Sequence, residues 1–481
     1  MNPLKNLEPR NVFKFFYEIS QIPRGSGNEK AISEWLVAFA KERGLRYIQD
    51  SALNVVIFKD AALGREADGG LVFQCHMDMV CEKTPETNHN FATDPIKLFI
   101  DGDYIKADGT TLGADDGYGM AYQLALLDGN YNHPKIAAIF TVEEETTMKG
   151  AYEFDGLLIK DYKYMISLDG GGEVLIVGCS GSIQQNIHLP IIWEAMPLNH
   201  APYTLSVSGL VGGHSGSDIN KGLGNANKLL GRALNLLDEI DIRIVSIRGG
   251  LADNAIPREA FSHIAIPKDK ENEAIRIIKG LSETLQAEYS KTEPFLALEI
   301  TPSNDGEEVF SHETKCELLA ALLLMPNGVL EMSTHNEGLV ETSNNLGIVE
   351  TTESKVLLTS LTRSQVLTKQ QYAESQFKTL AMQLGAEYEQ RNYTPAWQYS
   401  PDSQLIGICE QVYDQIWGKK PLRYITQGCT ESGIFYEKNP HIQIVGVGPF
   451  SSGLHSPEEK LDILSTEKVW GFILKLLETV A

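Results

Sequence analysis

The sequence has few cysteines, and they are scattered along the chain. Across 481 residues the six cysteines are Cys75, Cys81, Cys179, Cys316, Cys409 and Cys429. They do not form the CxxC pairs that are typical of structural zinc sites. Because disulfide frameworks belong mainly to small secreted domains, this cysteine usage favours a reducing compartment and hence a cytoplasmic location.

The sequence also lacks long apolar runs, a signal peptide and an excess of positive charge. No uninterrupted apolar stretch approaches the ~20 residues that a membrane-spanning helix needs. The first residues, MNPLKNLEPRNVFKFFYEIS, carry scattered charges and no apolar core or cleavage site. The net charge of −23 would repel nucleic acids and anionic membranes. The sequence therefore predicts a soluble protein whose partners include neither a membrane nor a nucleic acid.

The length of the chain indicates more than one domain. Single cores mostly stop growing at about 250 to 300 residues, well short of 481. With 42% hydrophobic and 22% charged residues and no low-complexity tract, the chain has the composition of a compactly folded protein. Two domains, one of which can be inserted into the other, are expected.

The N-terminal part alternates helical and extended patterns. Amphipathic helices are predicted near residues 10–20 and 28–43, and short β-rich runs follow at LNVVIFKD and GLVFQCHMD. Residues 118–129, YGMAYQLALLDG, read as a helix that ends at a glycine, and KIAAIFTVEEE reads as the next strand. This alternation predicts an α/β layer.

The pattern changes from about residue 185. Strand, helix, strand and strand precede the long helical pattern ENEAIRIIKGLSETLQAEYS, and a similar set spans roughly 295–390. After the linker-like YTPAWQYSPDS, the α/β rhythm returns. We therefore expect a catalytic domain in two pieces, 1–185 and 395–481, with a separate α+β domain of the split βαβ type inserted at 186–394.

Potential metal ligands stand where the predicted strands end. They are HMD with His76 and Asp78, GADDG with Asp115 and Asp116, EEE at 143–145, SLDGG with Asp169, and GLHSPEEK with His455. Each segment alone has an ordinary explanation: a hydrogen-bonded histidine, a turn-forming aspartate or a solvated loop. Together at one sheet edge, the acids would repel one another unless cations neutralised them. Mixed imidazole and carboxylate donors favour an ion of the Zn, Mn or Co type, whereas calcium and magnesium prefer oxygen alone.

The chain resembles the metal-dependent exopeptidase family M20. The likeness runs nearly from end to end and is carried by HMD, LGADDGYGMA, VEEE, SLDGG, GGHSGSDINKGLGNANKLL, NAIPREA and GLHSPEEK. The nearest likeness is to the aminoacyl-histidine dipeptidase branch. The resemblance implies an α/β fold with a zinc-exopeptidase-like catalytic domain, whose mixed sheet is flanked by helices, and an inserted ferredoxin-like lid domain.

The resemblance also implies a set of ligands for two divalent ions. His76 and Asp169 would hold one ion, Glu145 and His455 the other, and Asp115 would bridge both. The ions would be zinc, with cobalt or manganese as alternatives. The peptide bond from Asp115 to Asp116 would be cis.

Further residues are assigned roles around the metals by the same resemblance. Asp78 would orient the His76 imidazole, and Glu144 would be the general base that takes a proton from the attacking water. His214 in GGHSG would reach the developing oxyanion, and Asn254 in NAIPRE would help to hold the substrate. Without the resemblance, both of these segments would be ordinary polar turns.

Two departures from the family pattern concern the substrate. Thr359 occupies the position where a lid arginine is expected to grip the substrate carboxylate, and Arg363, four residues on, is the candidate substitute. Gln427 stands where relatives carry a histidine. Both changes leave the predicted metal ligands intact and leave the preferred dipeptide open.

The resulting hypothesis is a two-zinc dipeptidase that cleaves Xaa-Yaa dipeptides, with Xaa-His among them. An M20-type amidohydrolase of N-acyl amino acids is the nearest alternative, and a catalytically inactive metal-binding scaffold is a more distant one. The resemblance implies a homodimer, although an insert of this size can also hold two similar lobes that mimic a dimer within one chain.

Overall fold

The structure is a computed structural model that describes residues 2–304, 306–334, 336 and 338–480. Within these ranges, no helix has the length and apolar character needed to cross a membrane.

The helices are α1 (Arg10–Ser20), α2 (Lys30–Glu42), α3 (Ala114–Asp128), α4 (Lys149–Glu153), α5 (Ala226–Asp238), α6 (Glu271–Glu288), α7 (His312–Leu324), α8 (Leu367–Gln383), α9 (Gln404–Trp417), α10 (Glu431–Lys438) and α11 (Ile463–Thr479). The strands are β1 (Arg46–Gln49), β2 (Val55–Lys59), β3 (Leu71–His76), β4 (Leu98–Asp101), β5 (Tyr104–Ala107), β6 (Ile136–Thr141), β7 (Tyr164–Ser167), β8 (Leu175–Cys179), β9 (Gly181–Pro190), β10 (Trp193–Ala195), β11 (His200–Ser208), β12 (Gly213–His214), β13 (Arg243–Gly249), β14 (Ala255–Ile256), β15 (Ala260–Pro267), β16 (Ala297–Pro302), β17 (Glu308–Phe310), β18 (Gly328–Met332), β19 (Val340–Thr351), β20 (Lys355–Ser364), β21 (Glu387–Thr394), β22 (Arg423–Thr426), β23 (Gln443–Gly446), β24 (Ser451–Ser452) and β25 (Lys460–Asp462). The helices predicted near 10–20 and 28–43 and the long helix beginning at 271 are confirmed as α1, α2 and α6.

The chain divides into two compact units. The first unit comprises Met1–Cys179, Trp397–Thr426 and Thr430–Ala481, and the second comprises Ser180–Ala396 and Gln427–Cys429. The second unit is thus an insertion between parts of the first.

A mixed sheet forms the centre of the first unit. Its described strands run in the order β1-β2-β6-β3-β7-β23-β8-β22. β3 pairs in parallel with β6 and β7, whereas β1 and β2 are antiparallel. Every residue of β3 and β6 is buried, because the central strands are covered on both faces. The predicted α/β class and mixed sheet are confirmed.

The second unit contains two lobes of the same topology. In the first lobe, β11, α5, β13, β15, α6 and β16 follow one another, and the strands lie in the order β16-β11-β15-β13. In the second lobe the order is β21-β9-β20-β19, with α7 and α8 as its helices. Both are the ferredoxin-like arrangement of split βαβ units, so the predicted α+β class of the insert is confirmed.

The two lobes share one sheet. β13 and β19 pair antiparallel at Arg248↔Glu350 and Gly249↔Val349. Packing in the first lobe follows the helical period, since α5 buries Leu230, Leu234 and Leu237 along one face.

Candidate metal centre

Three neighbouring parallel strands bring ligand candidates to one edge of the central sheet. His76 is the last residue of β3, Glu144 and Glu145 follow β6, and Asp169 lies just beyond β7. The register pairs His76 with Thr141 on one side and Gln74 with Ser167 on the other. Because the carboxyl ends of these strands meet, residues distant in sequence come together.

The start of α3 supplies the next candidate. Asp115 and Asp116 lie in the first turn but have non-helical backbone angles, so the regular helix begins after them. The peptide bond between them is cis, the conformation that the resemblance implies.

The candidate ligands form overlapping groups. Oxygen and nitrogen atoms lie within 4.8 Å of one another in the groups His76–Asp115–Asp169, Asp115–Glu145–His455 and His76–Glu144–Glu145. Nε2 of His76 lies 3.2 Å from Oδ1 of Asp115. Nε2 of His455 lies 3.0 Å from Oε1 of Glu145 and 3.6 Å from Oδ2 of Asp115. Asp115 thus offers one oxygen to each histidine, and the structure brings together all five residues predicted to bind metal.

The electrostatics of this cluster fit a cation. Burial and the charge of Asp115 raise the pKa of Asp169 to about 7. Burial and the charge of Asp169 raise the pKa of Glu144 well above its usual value. Hydrogen bonds with Asp115 and Glu145 raise the pKa of His455 to about 10. In this cluster both the closely packed carboxyl groups and the imidazoles retain protons. A divalent ion that binds to these donors would displace the protons.

Asp78 connects the end of β3 to the glutamates that follow β6. Its Oδ1 lies 3.3 Å from Nδ1 of His76 and accepts the Glu144 amide at 3.0 Å. Its Oδ2 accepts the Glu145 amide at 3.2 Å and the Ser26 hydroxyl at 2.8 Å. The carboxylate can therefore orient the imidazole and the backbone of both glutamates.

Glu143 points elsewhere than its two neighbours. Its backbone has a positive φ of 53°, and its amide donates to Glu29 at 3.0 Å. Its side chain pairs with Lys149 at 3.1 Å and accepts a hydrogen bond from Thr147. It belongs to none of the three ligand groups.

A buried carboxylate that was not predicted from the sequence lies close to the ligand-bearing strands. Glu431, which is 1% exposed, accepts hydrogen bonds from Gln74 Nε2 at 2.7 Å and from the Thr141 hydroxyl at 2.6 Å. Gln74 in turn accepts one from the Ser167 hydroxyl at 3.0 Å. Glu431 thus ties together the ends of β3, β6 and β7. Its position in TQGCTESG beside Gln427 was the available signal.

A second missed carboxylate holds the loop of Asp115. Glu459 is 2% exposed, and its two oxygens accept the amides of Leu112, Gly113, Ala114 and Asp115 at 2.7, 3.0, 2.8 and 3.3 Å. The same loop is held from its other side by the buried Arg24, which donates to the Gly113 carbonyl. The second glutamate of GLHSPEEK was the signal for this role.

An open cavity adjoins the ligands within the first unit. It has a volume of about 500 Å³ and includes Asp115 and Asp169 in its lining. Its apolar wall consists of Val174, Ile176, Leu422, Tyr424 and Leu454. Leu422 lies directly before β22, and Tyr424, within β22, pairs with Ile176 on β8.

The remaining candidates lie in the second unit. His214 pairs with Ala255 across a two-stranded ribbon, and the Asn254 carbonyl accepts the Ser215 amide at 2.8 Å, so His214 and Asn254 are close. Arg363 is 9% exposed and donates to the Gln427 carbonyl at 3.4 Å. Burial and the charge of Arg363 lower the pKa of His214. Thr359 is buried on β20, four residues before Arg363.

Known proteins resemble this chain over nearly its whole length. Residues 72–479 match the peptidase family M20/M25/M40. The cytosol non-specific dipeptidase of Escherichia coli (strain K12) is 35% identical over 483 residues, covering 100% of this chain and 99% of the relative.

Two solved structures are also similar to this chain. Aminoacylhistidine dipeptidase from Vibrio alginolyticus is 36% identical and superposes with a TM-score of 0.94, covering 99% of this chain and 98% of that one. Aminopeptidase PepT from Bacillus cereus, at 16% identity and a TM-score of 0.56 over 98% of this chain and 99% of that one, shares the fold alone.

Proposed function

Because the chain belongs to the peptidase family M20/M25/M40 and is a hydrolase of peptide bonds, we propose that it is a metal-dependent dipeptidase. The observation that carries the proposal is the sharing of Asp115 between two ligand groups, with Glu144 in a third group that contains His76 and Glu145. Two overlapping groups of imidazole and carboxylate donors suit a pair of divalent ions around one reacting centre.

The ligands in this proposal are five of the six residues in the three overlapping groups, all except Glu144. His76 and Asp169 would hold one ion, Glu145 and His455 would hold the other, and Asp115 would contribute to both sites. Zinc is the proposed metal, with cobalt and manganese as alternatives. When bound, such ions lower the pKa of water and polarise the carbonyl of the scissile peptide.

Glu144 is the proposed general base. Its carboxylate takes a proton from the attacking water and gives it to the leaving amine. Asp78 supports this step as a positioning residue, since it holds both the His76 ring and the Glu144 amide.

The first unit is the proposed catalytic domain and the second unit the proposed lid and dimerisation domain. His214 is assigned to the developing oxyanion, Asn254 to the substrate, and Arg363 to the substrate carboxylate in place of an arginine at position 359. The closeness of Arg363 and His214 and the buried position of the guanidinium support this last assignment.

The proposed substrates are Xaa-Yaa dipeptides, with Xaa-His among them. The Escherichia coli and Vibrio alginolyticus relatives, at 35% and 36% identity, are both named as dipeptidases, the latter as an aminoacylhistidine dipeptidase. The cavity beside Asp115 and Asp169 is assigned to the side chain of the N-terminal residue, because its wall is mostly apolar and adjoins the proposed metal ligands. A cytoplasmic location, as in the name of the Escherichia coli relative, completes the proposal.

A homodimer is the proposed assembly. Because β13 and β19 already pair with each other inside the chain, a dimer would have to form through another surface. Light scattering should give twice the chain mass of 53.2 kDa. A measured mass equal to that of one chain would contradict the dimer. It would favour the alternative in which the two lobes of the second unit mimic a dimer within one chain.

The proposed function is tested with purified protein loaded with zinc, cobalt or manganese. We expect release of free amino acids from a panel of dipeptides that includes Xaa-His. A folded protein with two bound ions per chain that releases none would contradict the proposal.

N-acylation separates the proposed dipeptidase from an amidohydrolase of N-acyl amino acids. Acetylating the amino terminus of a good dipeptide should abolish its turnover, because the ammonium group is lost. Retained turnover would favour the amidohydrolase. Glu144 speaks against a non-catalytic scaffold, since the other five residues of the three groups supply the two proposed metal sites without it.

A further inference from the structure

We propose that Glu293 is a positioning residue that clamps the His214 loop, and that the amides of Gly216 and Ser217 fix His214 as the Nε2–H tautomer, a neutral hydrogen-bond donor. The His214 loop is defined as residues 211–224. The proposal rests on the proposed function, in which His214 serves the oxyanion.

Glu293 closes the loop at its base. Its side chain is 2% exposed, its Oε2 accepts the Val211 amide at 2.6 Å, and its Oε1 accepts the Gly224 amide at 2.8 Å. Burying a carboxylate is costly unless hydrogen bonds to it compensate, and bonds to a charged acceptor are among the stronger ones. Each oxygen of this buried carboxylate accepts a hydrogen bond from one end of the same loop. Glu293 therefore stabilises the conformation of that loop.

The loop needs such a clamp because its regular structure is limited to the two-residue strand β12. It connects β11 to α5, and Gly212 and Gly222 have positive φ values of 71° and 69°. Glycine is the residue that adopts this conformation at little cost, but it also has the most freedom to lose on folding. On the far side, Asn225 caps α5 and anchors the chain to the Leu346 carbonyl.

The His214 ring is oriented from within the loop. Its Nδ1 accepts the amides of Gly216 and Ser217 at 3.2 and 3.3 Å, and the His214 amide donates to Asp218 at 2.7 Å. A ring nitrogen that accepts hydrogen bonds holds a lone pair, so in the neutral ring the proton lies on Nε2. Burial and the charge of Arg363 lower the pKa of His214, which favours this neutral form.

His214 and Glu144 therefore have different roles in the proposed reaction. A neutral Nε2–H can stabilise a developing negative oxygen by a hydrogen bond, whereas proton delivery remains with Glu144. The value of such a donor depends on its position, because a misplacement of ~1 Å can cost ~100-fold in rate. Glu293 acts on the reaction only through that position.

The test compares Glu293→Gln with Glu288→Gln, both metal-loaded. Glu288 lies on the same unit in an exposed ion pair with Arg232, so its substitution makes the same chemical change away from the loop. In Glu293→Gln the amide group can accept from only one of the two backbone N–H groups. We expect kcat for a good dipeptide to fall about 10- to 100-fold with KM little changed, and Glu288→Gln to match the wild type.

A double-mutant cycle and hydrogen exchange decide the mechanism. In a His214→Ala background, Glu293→Gln should cause no further loss of kcat, and exchange of the loop amides should quicken in Glu293→Gln alone. An additional loss in that background, or unchanged exchange, would overturn the proposal. Glu293→Asp, whose shorter side chain cannot reach both amides, replaces Glu293→Gln if the latter does not fold.

The tautomer is checked by the ¹⁵N chemical shifts of the His214 ring. A protonated Nδ1 with an unprotonated Nε2 would overturn the assignment. If the wild type hydrolyses no dipeptide, the proposed function fails and the kinetic role of Glu293 fails with it. Exchange and ring shifts still decide the clamp and the tautomer in that case.

Discussion

At the scale of single residues, three consecutive glutamates meet three different environments. Glu143 turns towards Lys149 and solvent, Glu144 lies beside the ligands, and Glu145 contacts His455. The positive φ of Glu143 turns the backbone at the strand end, and Asp78 then fixes the next two amides. Like charges in sequence are therefore not one acidic patch in space.

Alanine substitutions at Glu143 and Glu144 should differ sharply. Glu144→Ala removes the proposed base and should lower kcat by about 10²- to 10⁴-fold. Glu143→Ala removes an ion pair at the surface and should stay within about threefold, since such pairs contribute little. Steady-state kinetics and metal analysis of both proteins test this. Unchanged hydrolysis in Glu144→Ala would contradict the mechanism even with the fold intact.

Glu459 should control metal affinity although it binds no metal. Glu459→Gln replaces an anion that holds four backbone amides around Asp115, so we expect metal affinity to fall about 10- to 100-fold, as for other partners of metal ligands. The neighbouring Glu458 is exposed, and Glu458→Gln is the matched control. Competition with a chromogenic chelator measures both. Equal affinities for the two variants would show that the clamp does not act on the metals.

At the scale of elements, β8 and β22 build a specificity surface next to the metal ligands. Ile176 of β8 and Tyr424 of β22 face the same cavity, as does Leu422 just before β22, and Leu422 and Tyr424 are exposed there. Large apolar side chains left exposed beside a polar centre are typical of a binding surface.

Leu422→Ala should therefore change substrate preference. We expect kcat/KM to fall about five- to tenfold for dipeptides with a large apolar N-terminal residue, because about 1 kcal/mol of apolar contact is lost. Ala-Xaa dipeptides should be little affected. Leu464→Ala is the control, since Leu464 is 56% exposed, compared with 65% for Leu422, but lies outside the cavity. An equal loss for both substrate classes would contradict the assignment of the cavity.

At the scale of the whole molecule, metal binding links catalysis to stability. The carboxylates at the centre come from segments that are far apart in the chain, so their mutual repulsion acts on the whole first unit. Burial raises the pKa of Glu431 to about 8, and burial together with Asp115 raises that of Asp169 to about 7. An ion that binds only the folded state adds stability in proportion to the logarithm of its concentration.

The metal-free protein should lose stability as pH rises from about 5 to about 8. Between the ordinary carboxyl pKa near ~4 and these raised values, the folded state holds protons that the unfolded chain has released, so the free energy of unfolding falls with pH. Thermal unfolding after chelation should show a Tm that falls by several degrees across this range. Adding zinc or manganese at pH 8 should raise it again. A Tm that rises with pH in metal-free protein would contradict the electrostatic account of the site.

The sequence predicted much of the molecule because many of its signals are local. Strand ends carrying His76, Glu145 and Asp169, the helix after Asp116 and the α+β texture of the insert all follow from periodicity and turn residues within short windows. The strand pairing of the second lobe was harder to predict from the sequence. Its strand β9 precedes the whole first lobe in the chain, and no local pattern indicates a partner that far away.

The sequence by itself determined which residue types stand at the strand ends, and hence the chemistry of the centre and its family. Only the tertiary structure decided that Glu431 and Glu459 hold the ligand-bearing segments and that Glu293 accepts the amides at both ends of the His214 loop. The physical reason is that these carboxylates act on groups that lie far from them in the chain. Such contacts arise from packing and leave no periodic trace in the sequence.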